Sequence, residues 1–447
     1  MILDRFARFA VASREDDLPG DVAHAATRVI LDWYAATVAG TESAPAQVLA
    51  KALVNDAETG PARLIPSGRA VPARVAALIN GTASHTAEID DIYRDGLYHP
   101  GSPTVAAALA AAELRGVSGP ALLRGVAVGF EVGDRIAAAV QPAHYTYWHT
   151  TGTVGTIGAA AAAAEVLGLD AQRFAHALAT SVTMAAGLQQ AFRSDAMSKP
   201  LHAGHAAEAG LLAALAAEGG FTGALDVLEG EAGFGAGMAA GTPDWEAAVT
   251  GLGEPWLVTR TTVKNHSCCG HTFAPVDAVL ALREGGLTPA RVREIRVATY
   301  GAALKVAGQP DPRTVFEAKF SIAYCVSAAL SLGSVRRVAF EPEAMASPEI
   351  RELIGKTTLS VDPGCEAAFP SRRSARVVIV DTDGAEHEHY RATRRGDPDD
   401  PLSDDDLSQK FAEFVTPVIG AGKGAGLADA LWCLADLDDV RNLGVQP

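Results

Sequence analysis

Across roughly the first 255 residues, apolar positions recur at helical spacing, at i, i+3, i+4 and i+7. The pattern predicts helices over Pro19–Ala39, Pro72–Ile89, Thr104–Arg115, Gly119–Val140, Thr153–Leu167, Ala171–Leu188 and Pro200–Glu218, with glycine or proline between most of them. Alanine and leucine supply most of the apolar positions, so small side chains should let the helix axes approach closely. No repeat of fixed period stands out.

Near Pro255 the pattern changes. Val292–Tyr300 is rich in β-branched residues and alternates in part, and Ala375–Val380 and Glu386–Arg391 flank Asp381-Thr-Asp-Gly, a good hairpin turn. Helical spacing returns in Pro275–Arg283, Phe320–Leu332 and Pro348–Lys356. Gly396-Asp-Pro-Asp-Asp-Pro-Leu marks an acidic, turn-rich boundary. Beyond it, Ser403 and three acids should cap a helix running through Phe414. The tail, Gly426–Leu437, is helical and could return to the first domain. The expected fold is mainly α: a large all-helical domain over residues 1–260, rejoined by 401–447, and a smaller α+β domain over 261–400.

Composition mainly excludes. A chain of 447 residues exceeds one ordinary core at ~150 residues per domain. Its 48% hydrophobic and 20% charged residues fit a soluble globular protein and not a disordered one. A net charge of −16 with no basic run argues against a nucleic-acid partner. An anionic ligand would have to be drawn by local cations against the overall field. The most apolar run, Gly152–Leu169, is broken by Glu165 and suits a buried helix better than a membrane span. The first residues carry an early acid and do not resemble a secretory signal, and the five cysteines are not a disulfide framework, so a cytoplasmic protein is expected.

The candidate chemistry gathers at helix starts. In Ser194–Gly210 (SDAMSKPLHAGHAAEAG), Pro200 directly after Lys199 predicts a helix entrance, where unpaired backbone N–H groups attract carboxylates. His202 lies three residues on and shares that face. His99 precedes Pro100 and a helix expected to begin at Pro103, and His149 precedes Thr150-Thr151-Gly152, where a threonine can cap the next helix. Each alone is readily a surface or capping residue. Three together suggest a shared site for an anion. Glu88 and Asp91, three apart, are expected on one face of a helix end, either as a solvated acidic end or as carboxylates that do acid/base work or orient a histidine.

Lys264-Asn-His-Ser-Cys-Cys-Gly-His271 invites a metal reading, but adjacent Cys268 and Cys269 do not easily point at one tetrahedral ion, and no second ligand pair follows. A polar loop with Cys269 or His271 facing the ligand is the better expectation, with no metal. Tyr324, in Ala318-Lys-Phe-Ser-Ile-Ala-Tyr, either offers its hydroxyl to a pocket or packs in a core. Gly420-Ala-Gly-Lys-Gly-Ala-Gly has Pro417 where a phosphate loop needs its first glycine, and reads as a flexible loop.

These pieces, taken in order, resemble the MmgE/PrpD family. They are His85–Pro100 (HTAEIDDIYRDGLYHP), Trp148-His-Thr-Thr-Gly, Met197-Ser-Lys-Pro-Leu-His-Ala-Gly, Gly220-Phe-Thr-Gly with Leu228-Glu-Gly and Gly233-Phe, Lys264 to Cys269, Ala318–Tyr324 and Gly396-Asp-Pro with Pro401-Leu-Ser. The family includes 2-methylcitrate dehydratase, cis-aconitate decarboxylase and iminodisuccinate epimerase. The resemblance implies a helical domain with a smaller α+β lid domain, a cofactor-free site between them, a homodimer and a small anionic carboxylate as substrate. It implies site roles for His99, His149 and Lys199, for Cys269 at a position that is cysteine or histidine in the family, and for Tyr324. The family's Asp-Phe-Asp-Asp-Thr reads Glu88-Ile-Asp-Asp-Ile92 here, so the first acid is longer by a methylene and a hydroxyl is lost.

Known members move a proton at a carbon next to a carboxylate, where cations and helix N-termini can stabilise the developing charge. The expected division of labour has Lys199 holding a carboxylate with help from His149, and His99, oriented by Glu88 or Asp91, shuttling the proton. Ile92, His202, His271 and Tyr324 are expected around the ligand. A dehydratase or decarboxylase is the first expectation, an epimerase the second and a non-catalytic binding protein the third.

Overall fold

The helical periodicity becomes helices α1 (Ile2–Ala12), α2 (Gly20–Thr41), α3 (Ala44–Leu53), a short hairpin of β1 (Ala62–Leu64) and β2 (Arg69–Val71), and then α4 (Ala73–Ser84), α5 (Gly101–Arg115), α6 (Gly119–Val140), α7 (Thr150–Val166), α8 (Ala171–Val182) and α9 (Ser198–Glu218). The computed structural model describes residues 1–54, 59–192, 196–239 and 241–443; Ser194 and Asp195, at the head of the lysine stretch, lie outside them. The chain divides into two compact units, Met1–Val263 with Ser403–Pro447, and Lys264–Leu402. The fold is mainly α with a small sheet in the second unit.

Helix α7 forms the centre of the larger unit. Each of its residues is buried, and α5, α6, α8 and α9 pack around it. Its sequence, TTGTVGTIGAAAAAAEV, offers almost no side-chain bulk, so neighbouring backbones come unusually close. A Cβ on Gly210 of α9 would sit 2.6 Å from Ala159 Cβ and 2.7 Å from Ala160 N; a Cβ on Gly204 would sit 2.2 Å from Leu78 O of α4. At such separations even one methyl group requires backbone movement. Small residues are therefore what allow α4, α7 and α9 to bring their ends together. Among the described residues no helix is long and apolar enough to cross a membrane.

Four local expectations change. The helix predicted over Pro72–Ile89 stops at Ser84, because His85 takes the C-cap and turns its ring onto Asp90, and Glu88 adopts a left-handed φ of 62°. Glu88 and Asp91 therefore do not share a helical face. The helix predicted over Ala171–Leu188 ends at Val182. The β1–β2 hairpin interrupts a region read as helical. The glycine-rich segment read as a flexible loop begins a helix, α14 (Ala421–Trp432), following α13 (Asp404–Ile419); packing against α13 and α2 outweighs the poor propensity of glycine.

In the smaller unit, α10 (Phe273–Glu284), β3 (Val292–Thr299), α11 (Ile322–Leu332), α12 (Pro348–Gly355), β4 (Thr357–Val361), β5 (Ala375–Asp381) and β6 (Glu386–Arg391) build one sheet with helices packed on it. The strand order is β4-β3-β5-β6, with β3 parallel to β4 and the other pairs antiparallel. Strand β4, unforeseen from the pattern, is a largely exposed edge strand whose alternation is weak.

Candidate active site

The larger unit brings together the C-terminal end of α4 and the N-terminal ends of α5, α7 and α9. Four imidazoles line up there. Ring centroids of His99 and His85 lie 5.0 Å apart, those of His85 and His149 5.4 Å, and those of His149 and His202 5.3 Å. Lys199, in the first turn of α9, forms a hydrogen-bonded ion pair with Glu88 from the segment after α4. The sequence-predicted residues Glu88, Asp91, His99, His149, Lys199 and His202 thus converge from positions up to 114 residues apart (88 to 202).

Asp90 organises this cluster, though it was not singled out in the sequence. Its Oδ2 accepts from His85 Nδ1 at 2.6 Å and from Ser102 Oγ at 3.0 Å, and lies 3.3 Å from His99 Nδ1. The same His99 nitrogen donates to the backbone carbonyl of Asp91 at 2.8 Å, and the His99 N–H donates to Thr151 Oγ1 at 3.2 Å. A proton on Nδ1 makes Nε2 the acceptor nitrogen of the neutral ring. Asp91 thus orients His99 through its carbonyl. Its carboxylate is occupied elsewhere, straddling the Gly101 N–H at 3.0 and 3.1 Å to hold the start of α5. A Cβ on Gly101 would meet Asp91 Oδ1 at 2.7 Å, so a larger residue there would displace that carboxylate. The expectation that Glu88 or Asp91 side chains orient His99 is corrected accordingly: Glu88 faces Lys199, and Asp90 with the Asp91 carbonyl faces His99.

Burial separates the cluster into floor and rim. The side chains of His85 and Asp90 are 0% and 2% exposed, whereas those of His99, Lys199 and Glu88 keep 19%, 16% and 18%. The second group, and the half-buried His202, can meet a ligand directly. His149, the N-cap of α7, is buried and belongs to the floor. Its Nδ1 lies 3.0 Å from His202 Nδ1, so one ring donates to the other and their tautomers are linked. Burial, reinforced by His85, His202 and Lys199, holds the His149 pKa well below the usual histidine value. Burial likewise pulls His202 down to about 4, with His85, His205 and Lys199 adding to it. Both rings are neutral near pH 7. They polarise and relay; Lys199 is the cation.

Ile92 is buried, and its main chain forms an antiparallel bridge with Thr262, with N–H···O distances of 2.9 and 2.8 Å. In the smaller unit the Lys264–His271 side chains diverge. His266 bonds Asp277 at 2.9 Å, Cys268 Sγ lies 3.0 Å from Thr272 Oγ1, and His271 Nδ1 lies 2.7 Å from Tyr300 Oη. Cys269 is partly exposed, with its N–H donating to Lys319 O at 2.9 Å. Tyr324 is fully buried and donates its hydroxyl to Ala339 O, so it is the packed core tyrosine and not a residue that offers its hydroxyl to a pocket.

Three donors in the larger unit, from His85, Asp90 and His99, lie within 4.8 Å of one another, the spacing of a metal triad. The 2.6 Å His85–Asp90 contact is a hydrogen bond, shorter than the separation of two ligands held ~2 Å from one ion. As arranged, the triad serves to fix a histidine.

The MmgE/PrpD N-terminal domain matches residues 4–246, and the MmgE/PrpD C-terminal domain matches residues 266–436. The chain is similar to a cis-aconitate decarboxylase-like protein, oryM, of Aspergillus oryzae, at 29% identity over 96% of this chain and 94% of that protein. It is similar to the cis-aconitate decarboxylase of Aspergillus terreus at 26% identity over 96% and 92% of the two chains. The human cis-aconitate decarboxylase matches at 28% over 83% and 78%. Two domain matches in sequence, together spanning most of the chain, carry the same order of motifs that meets at the helix ends: this protein belongs to the MmgE/PrpD family.

Proposed function

We propose that the protein is a cofactor-independent lyase that removes carbon dioxide or water from a small di- or tricarboxylate, moving a proton at a carbon next to a carboxylate. One observation carries this: His99, a rim histidine, has its Nδ1 proton directed at the Asp91 carbonyl and the Asp90 carboxylate, in a cluster whose His149 feels both His99 and Lys199. The full-length similarity to proteins named cis-aconitate decarboxylase supports the lyase class and makes cis-aconitate the first substrate to try.

In this mechanism Lys199 exchanges part of its pairing with Glu88 for a substrate carboxylate, a contact strengthened by the low dielectric of the site. His99 Nε2 exchanges a proton with the substrate carbon, while Asp90 stabilises the imidazolium that forms when the ring is the base. In decarboxylation the C–CO₂ bond breaks, its electron pair stays on carbon as a carbanion next to a remaining acidic group, and a protonated residue of the cluster quenches it. In dehydration a carbon-bound proton leaves to a base and an acid protonates the departing hydroxyl. Each acid or base role supplies ~10²–10⁴ in rate.

The test is proton NMR in D₂O with cis-aconitate and a panel of di- and tricarboxylates. Loss of CO₂ with one deuterium incorporated identifies a decarboxylase, and loss of water a dehydratase. Exchange with inversion and no loss would replace the lyase by an epimerase. No exchange with any substrate would leave a carboxylate-binding protein.

A further inference from the structure

A buried acid can shed its charge by taking a proton; a buried arginine cannot. The larger unit shows the first case. Both oxygens of Asp134 are buried without a hydrogen-bond partner among the described residues, and burial, reinforced by Asp91, raises its carboxyl well above the usual range. The smaller unit comes close to the second, in the half-buried Arg373. Arg373 lies just before β5, opposite the end of β3, since Thr299 pairs with Ala375 and the Thr299 hydroxyl donates to Ser374 O at 2.8 Å. Its Nε is buried and has no hydrogen-bond partner, and no carboxylate pairs with its guanidinium among the described residues.

The surroundings add positive charge. Arg394 is fully buried, donates to both oxygens of Asp397 at 2.9 and 2.6 Å, and reaches Gly270 O at 3.3 Å. Asp397 therefore answers Arg394, leaving Arg373 without a matching carboxylate. Its charge is felt by two polar groups, the His271 ring, bonded to Tyr300 Oη at 2.7 Å, and Tyr300 itself, stacked on Phe369 with centroids 4.5 Å apart. Burial and the two guanidiniums pull His271 down to about 3. Burial and Arg394 bring Arg373 down to about 10, with Tyr300, Asp397 and Cys269 acting the other way, so Arg373 remains charged at neutral pH. The group to be bound is a single planar negative charge: one unpaired fork, with neutral donors beside it, suits a carboxylate better than a doubly charged phosphate.

We propose that Arg373, with His271 and Tyr300, forms a carboxylate-binding subsite carried wholly by the smaller unit. That the bound carboxylate belongs to the substrate rests on the lyase reading; that Arg373 binds a carboxylate does not.

Calorimetric titration of the full chain with propane-1,2,3-tricarboxylate and with inorganic phosphate tests this on wild type, Arg373→Met and Arg373→Lys. Loss of a charge-assisted contact should weaken tricarboxylate binding about 10- to 100-fold in Arg373→Met, with Arg373→Lys between it and wild type. The melting temperature without ligand should stay level or rise in Arg373→Met, because a half-buried charge with no carboxylate among the described residues is removed; a purely structural arginine would lower it. If Arg373→Met does not fold, weakened binding by a natively melting Arg373→Lys supports the site. Wild-type affinity in both folded variants, no tricarboxylate binding by wild type, or stronger binding of phosphate than of tricarboxylate would overturn it. A raised KM for a turned-over substrate identifies the substrate's own carboxylate as the ligand. An unchanged KM with one fewer bound tricarboxylate identifies a separate anion. Arginine-dependent binding without turnover of any carboxylate would remove the lyase reading and leave this site standing.

Discussion

The two polar clusters of this protein solve opposite problems. In the larger unit, Asp90 serves both His85 and His99, and Glu88 faces Lys199, so charges are matched inside the protein. In the smaller unit, Asp397 answers Arg394, and among the described residues no acid pairs with Arg373. The first arrangement suits proton transfer, because a histidine must gain and lose charge without a large change in its surroundings. The second suits holding an anion, because the partner has to come from outside. The contrast teaches that the positions of unpaired charges, more than the number of titratable side chains, separate chemistry from binding.

The largest effect that would break this comparison comes from His99. Substituting alanine should lower kcat ~10²–10⁴-fold while circular dichroism and melting stay native. Near-native turnover would remove the proton-handling role from the larger unit. Next is Lys199→Met. Losing a charge-assisted contact of ~1.5–3 kcal/mol should reduce kcat/KM roughly 10- to 150-fold on the true substrate, and an unchanged value would mean that Lys199 serves only Glu88.

Asp90→Asn sharpens the comparison because Asp90 sits in the floor and does not meet the ligand. Turnover should fall by about 10-fold or more, and the acid limb of the kcat/KM profile should move to lower pH, since an imidazolium at His99 would lose its carboxylate. A lowered rate with an unmoved pH profile would make Asp90 purely structural.

The smallest expected effect is on stability. His202 titrates near 4 and His271 near 3 in the folded protein, against about 6.5 unfolded, with burial as the main cause in both. Between those values the unfolded chain binds more protons than the folded one, so stability falls as pH drops below about 6.5. At pH 5 the loss should be at most about 1–2 kcal/mol for each ring, visible in denaturant titrations at pH 7 and pH 5. His202→Gln should flatten the dependence in part. A slope of the opposite sign would show that these rings are charged in the native state.

Much of the fold was legible because helices and strands carry local signals. Gly119–Val140 was bounded by Ser118 and proline at its start, and the helix runs over the same residues, with Ser118 accepting from the Ala121 N–H. Glu386–Arg391 is a strand in both pattern and structure, because the turn before it is strongly marked. The residues between α4 and α5 were less legible. Helical spacing continues past Ser84, but the His85–Asp90 hydrogen bond and the cap from Asp91 to Gly101 compete with the helix, and both depend on side chains folding back over several residues. That competition also hid Asp90, which stands between two acids that looked better placed. The available clue was its position five residues after a histidine at a helix end.

By itself the sequence determined most of the long helices and the strands β3, β5 and β6, that α4, α7 and α9 could pack closely, and that a lysine and several histidines stand at helix ends; periodicity, capping residues and side-chain size are local properties. Tertiary structure alone decided which acid serves which base. The choice among Glu88, Asp90 and Asp91 depends on left-handed backbone at Glu88 and on the approach of α5, α7 and α9. Tertiary structure also decided that Tyr324 is core, that His149 and His202 are neutral, and that Arg373 Nε has no hydrogen-bond partner among the described residues, since burial and pairing arise only when distant segments exclude water together.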